Sequence, residues 1–112
     1  MNSKLFYALY TAALAADDKA AYVSDWALSS IWGGDPASEI SPEHIEQLEG
    51  IWDVAHLSIR DIRGHLGLTQ VEFSQRYCIP LRTVGNWEAG VNSCPPYLRL
   101  LLAESAGLYK RP

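Results

Sequence analysis

With 112 residues, 48 % of them hydrophobic and 20 % charged, the chain has the composition of an ordinary globular protein, and room for one core or for a small domain with a helical extension. No apolar run approaches the roughly 20 residues of a membrane span, so no membrane partner is expected. The net charge of −4 argues mildly against nucleic acid, but it is unevenly spread. Residues 1–57 carry two lysines against nine acids, a balance of −7, and residues 58–112 carry seven bases against four acids, a balance of +3. A basic half can approach phosphates while an acidic half faces away or meets a protein partner.

The opening stretch, MNSKLFYALYTAALAADD, has one lysine and then an apolar run, as a secretion signal does. Tyr7, Tyr10 and Thr11 interrupt the run and acids follow at once. A first amphipathic helix over about residues 3–16 is therefore expected, in a cytoplasmic protein. Val23, Trp26, Ala27, Ser30 and Ile31 then fall at i, i+3, i+4, i+7 and i+8, one helical face. The segment from Gly33 to His44 is rich in Gly, Pro and Ser and reads as a loop. It ends in a helix start, with Ser41 as N-cap, Pro42 at the first helical position and Glu43 complementing the dipole. This break suggests an acidic, aromatic-rich helical extension over residues 1–40 and a compact domain over 41–112.

Ile45, Leu48, Trp52 and Ala55 give the next apolar stripe. Ser58 with Asp61 forms a second helix start, with Ile59, Ile62 and Leu66 facing inward and Gly67 as C-cap. Trp26, Trp32, Trp52, Tyr7, Tyr10 and Tyr22 concentrate in the first half; they are expected in a core, the alternative being an exposed patch for a second subunit. Nothing alternates with the period of a strand, so the chain reads as all-α with six or seven helices.

Thr69 and Glu72 are spaced as a capping box, opening a two-turn helix with Val71, Phe73 and Tyr77 as apolar positions and a small Ser74 where another helix can pass close. YCIP follows, and Pro80 starts a second short helix with Val84 and Trp87 inward and Gly90 as its stop. Two short helices around a four-residue joint are the helix-turn-helix pattern. In that motif the first helix meets the phosphate backbone, and the first turn of the second meets base edges in the major groove.

The stretch LGLTQVEFSQRYCIPLRTVGNWEAGVNSCP, Leu66 to Pro95, resembles the Xre/Cro/cI (lambda-repressor-like) helix-turn-helix family in LGLTQ.EF, in I…T before the second helix and in V..WE.G. The resemblance covers about residues 58–106, and within the family it is nearest to antitoxin-like and mobile-element regulators. It implies a compact five-helix-type domain that binds double-stranded DNA as a homodimer. Carried over position by position, it implies a phosphate contact from Gln70. It makes Leu81, Arg82, Gly85 and Asn86 the outward positions of the recognition helix, and Thr69, Thr83 and Asn92 positioning residues. Arg82 has the fork for guanine O6 and N7, Asn86 the amide for adenine N6 and N7, and Leu81 can meet a thymine methyl. Glu88 is expected to bond within the module, and Trp87 to lie in its core. The chain departs from the pattern at Cys78, where the family has Gly at the turn, at Gly85 inside the recognition helix, and at the uncharged VNSC after Gly90.

After CPP, Tyr97, Leu98 and Leu100 to Leu102 begin an apolar helix ending near Gly107, with a core side and a dimer side. Cys78 and Cys94, separated by fifteen residues, fit neither a redox pair nor a zinc site, and His44, His56 and His65 lack partners at ligand spacing, so no metal or other cofactor is expected. No catalytic constellation accompanies them, which disfavours an enzyme. Two readings remain: a sequence-specific DNA-binding regulator, and a protein-interaction module, such as an antitoxin whose acidic first half binds a partner.

Overall fold

The structure, a computed structural model, describes residues 1–33 and 40–112. Most of the loop expected after Gly33, with Asp35 and Glu39, lies outside the described residues. Among those described, the chain is all-helical: α1 (Ser3–Ala15), α2 (Lys19–Ala27), α3 (Pro42–Ala55), α4 (Ile59–Leu66), α5 (Gln70–Tyr77), α6 (Leu81–Ala89) and α7 (Pro96–Ser105), with a 3-10 turn at Ser30–Trp32. They form two compact units, Met1–His56 and Leu57–Arg111.

In the first unit, Asn2 caps α1 by accepting from the Leu5 amide at 2.8 Å, and α1 buries Phe6, Leu9, Tyr10 and Ala13. Asp18 caps α2 in the same way. The residue α2 buries is Tyr22, outside the face read from the sequence. Its hydroxyl donates to the Leu9 carbonyl at 2.8 Å, giving the ring a polar partner inside the core. Val23, Trp26 and Ala27 are only half-buried, and the helix stops at Ala27. Ser30 and Ile31 belong instead to the 3-10 turn, which Ser29 caps. The Trp32 indole donates to the Trp26 carbonyl at 2.8 Å, so the end of α2 is satisfied by a side chain instead of by a continuing helix.

Helix α3 starts at Pro42 as expected, but Ser41 makes no side-chain cap bond. It buries Leu48, Ile51, Val54 and Ala55, while Ile45 and Trp52 stay half-buried. The Trp52 indole donates to the Ala16 carbonyl at 3.1 Å, and the His56 ring meets the Ala13 carbonyl at 2.8 Å. The Trp52 indole thus satisfies a carbonyl just past the end of α1, and His56 adds a partner to the Ala13 carbonyl, which already accepts from the Ala16 amide. Packing against α1 and α2 makes α3 part of the first unit. By their contacts the elements divide after His56, so α1 to α3 belong to the first unit and α4 to α7 to the second. Of the tyrosines and tryptophans in this half, Tyr10 and Tyr22 are buried, the three tryptophans are half-buried and Tyr7 is exposed.

In the second unit, two reciprocal capping boxes start successive helices: Ser58 with Asp61 opens α4, and Thr69 with Glu72 opens α5. The bond from the Thr69 amide holds the Glu72 carboxyl below its ordinary range. Gly67 ends α4 and Gly90 ends α6, both left-handed, a conformation that glycine adopts without a Cβ penalty. The core consists of Ile59, Ile62, Phe73, Val84, Cys94, Leu100, Leu102 and Ala103. Val71, read as an apolar position of α5, is exposed; Phe73 fills the core from that helix.

Candidate nucleic-acid interface

Helices α5 and α6 pack on each other, and α4 packs on α6 and α7. The joint between α5 and α6 is local chemistry. Cys78 adopts a left-handed conformation (φ 54°, ψ 39°), the sole non-glycine among the described residues with positive φ. Its amide donates to the Ser74 carbonyl, and so does the Ile79 amide at 3.0 Å. The Ser74 hydroxyl donates to the Ile79 carbonyl, so the small residue at this position stitches the turn. Pro80, extended, then leads into α6. The missing glycine costs about 1–2 kcal/mol in backbone terms, and these bonds hold the turn in place.

A buried ion pair fixes the orientation of α6. The Glu88 side chain is only 2 % exposed. Arg63 donates to it twice, from Nη2 to Oε1 at 2.7 Å and from Nε to Oε2 at 2.9 Å. Arg60 adds a longer bond at 3.3 Å. Arg63 Nη1 also donates to the Leu68 carbonyl at 3.1 Å, so one guanidinium ties α4, the start of α5 and α6 together. The Arg63 guanidinium holds the Glu88 carboxyl below its ordinary range against the opposing effect of burial, and Glu88 in turn raises Arg63. Glu88 is thus a bonding residue within the module, as the resemblance implied. Arg63 and Arg60 were not singled out from the sequence; the available signal was a charge directly beside the buried Ile62 and Ile59.

The helix-turn-helix family matches over residues 59–106. No curated protein and no solved structure matches the chain. Residues 59–106 are a helix-turn-helix domain of the lambda-repressor-like family. In this domain, of the DNA-binding regulatory helix-turn-helix type, α5 is the first helix of the motif and α6 the recognition helix. No helix among the described residues is long and apolar enough to cross a membrane.

The recognition helix presents Leu81, 46 % exposed, and Arg82, also exposed, in its first turn. Arg82 makes no ion pair with a described residue. Thr83 and Asn86 are half-buried, and Asn92 is exposed beyond the helix. The Asn86 carbonyl accepts from the Val91 and Asn92 amides at 3.0 and 3.4 Å, which folds the uncharged VNSC segment back on the end of α6. Thr69 is exposed, but its amide and hydroxyl oxygen are already engaged by Glu72. Gln70, the first residue of α5, is half-buried. Its Oε1 lies 3.9 Å from where a Cβ on Gly85 would stand, and its amide assists in lowering Glu88, as the weakest of the contributing groups. Gly85 is half-buried, on the side of α6 that Gln70 approaches.

Proposed function

We propose that this chain is a cytoplasmic, sequence-specific transcriptional regulator that binds double-stranded DNA as a homodimer. The observation that carries the reading is the exposed pair Leu81 and Arg82 on the first turn of α6, a helix whose far end is anchored by the Arg63–Glu88 pair. A recognition helix discriminates bases only if its orientation is fixed, and the buried pair supports that. In this reading Arg82 takes guanine, Asn86 takes adenine and Leu81 meets a thymine methyl. Gln70 and the first amides of α5 hold a phosphate, with Thr69, Thr83 and Asn92 beside them. Gly85 shapes the surface by having no side chain. No catalysis and no cofactor form part of this function.

The dimer is supported by α7. It buries Leu100, Leu102 and Ala103 while leaving Tyr97 69 % and Leu101 53 % exposed, four residues apart on one face. Two copies would address half-sites about 34 Å apart. With VNSC uncharged, few phosphates are neutralised per copy, so affinity is modest and salt-sensitive and depends on both copies. The test is Arg82→Ala on a selected operator, with an expected loss of about 1–3 kcal/mol in specific binding and relaxed preference at one position per half-site. Unchanged binding and preference would remove Arg82 from the readout.

The balance of −7 in residues 1–57 favours a second role, an antitoxin-like interaction of the first unit with a protein partner. Removal of residues 1–56 would then abolish partner binding and leave operator binding in place.

A further inference from the structure

The first unit contains an open groove between α2 and α3 that the DNA-binding reading does not use. Val23 and Ala27 from α2 with Ile40 and Ile45 form its apolar floor, and Lys19 and Glu49 stand at its edges; its volume is about 570 Å³. Along α2 the lining residues run from Lys19 to Ala27, two helical turns or roughly 12 Å. The lysine at the edge is already engaged: its ammonium meets Asp53 at 2.9 Å. On α3, Glu49 lines the groove, is exposed and lies near enough to Lys19 to help raise its ammonium, and Glu46 is exposed on the same helix outside the lining. The groove thus offers an apolar trough on a unit whose described residues carry two lysines against seven acids.

We infer that this groove takes one face of a basic amphipathic helix from a protein partner. The partner's apolar side chains, spaced i, i+3 or i+4, and i+7, seat on Val23, Ala27 and Ile45, and its Lys or Arg side chains lie against Glu46 and Glu49. The inference rests on the reading of the first unit as an interaction module and names the site and the partner's chemistry. Two turns of trough match the length of such a three-anchor face. A small ligand would need several convergent polar groups, and the lining is apolar apart from its charged edges and Ser24. A second copy would bring another unit of the same negative sign, which repels.

The test is selection from a displayed library of helical peptides, randomised on one face, with the full chain as bait. Two variants serve as comparisons: Val23→Arg, which blocks the trough, and Glu46→Lys/Glu49→Lys, which reverses only exposed charges and so keeps the fold. Circular dichroism checks both. The expected winners carry net positive charge and the three-anchor spacing, bind each variant about tenfold more weakly or worse, and shift the amide resonances of residues 20–27 and 45–53. Winners that bind both variants as well as the natural chain, or that lack basic residues, would overturn the groove while keeping an interaction role for the unit. No enrichment at all would overturn the interaction role itself, and with it the groove. A dimer in sedimentation equilibrium that Val23→Arg dissociates would assign the trough to a second copy and also refute the proposal.

Discussion

Replacing Arg63 with Met tests whether the buried pair sets the stability of the DNA-binding unit. The substitution removes both short bonds to Glu88 and the bond to the Leu68 carbonyl, and leaves a carboxylate that is 2 % exposed with Arg60 at 3.3 Å and the weaker help of the Gln70 amide. Stranding one member of a fully buried pair costs about 3–5 kcal/mol. The remaining Arg60 and the 21 % exposure of the Arg63 side chain bring the expected cost to about 2–3 kcal/mol. A unit of this length is stable by only a few kcal/mol, on the order of 0.05–0.15 kcal/mol per residue, so much of the margin disappears. The pH dependence has a defined sign. Glu88 is depressed in the folded protein, so its contribution is present above the ordinary carboxylate value of 4.5 and is lost as pH falls through the folded value. In Arg63→Met the largest cause of that depression is gone, so the gap between the two proteins is widest at pH 7 and narrows below about pH 4.5. Hydrogen exchange of the Ile62 and Val84 amides reads the second unit alone, where a whole-chain melt would mix the two. Arg63→Met/Glu88→Leu should recover most of the loss, since an apolar pair needs no partner. A single variant within 1 kcal/mol of the natural protein, or a double variant no better than the single, would refute the reasoning.

Gly85→Ala should stabilise the domain by about 0.5–1 kcal/mol in urea unfolding, because the added Cβ would meet only Gln70 Oε1 at an ordinary 3.9 Å and alanine is the better helix former. Cys78→Gly should stabilise by about 0.5–1 kcal/mol by relieving the left-handed backbone, less the glycine's extra freedom in the unfolded chain. Tyr22→Phe should destabilise the first unit by about 1–3 kcal/mol, measured by exchange of the Leu9 and Ala13 amides, because the Leu9 carbonyl loses the hydroxyl that meets it at 2.8 Å.

What could be read from the sequence was what neighbouring residues decide. Both capping boxes, at Ser58 and Thr69, form as their three-residue spacing predicts, and Gly67 and Gly90 end helices as C-caps do. The departure at Cys78 was visible as a missing glycine, and the turn is left-handed there all the same, held by bonds to Ser74. What could not be read depends on distant partners. The inward turn of Tyr22 is decided by a carbonyl thirteen residues earlier, and the membership of α3 by the end of α1, which Trp52 and His56 meet. The role of Arg63 depends on Glu88, twenty-five residues on. Of the positions proposed to meet DNA, Leu81 and Arg82 stand open in the first turn of α6, and Gly85 lies beside Gln70.

The most direct measurement is in-vitro selection of bound DNA by the full chain from a random duplex library, followed by affinity for the winning site at several salt concentrations. The account predicts an inverted repeat with half-site centres about 34 Å apart, a guanine in each half that Arg82→Ala makes dispensable, and affinity that falls steeply with salt. No enriched sequence even at low salt, or an enriched site indifferent to Arg82, would contradict it.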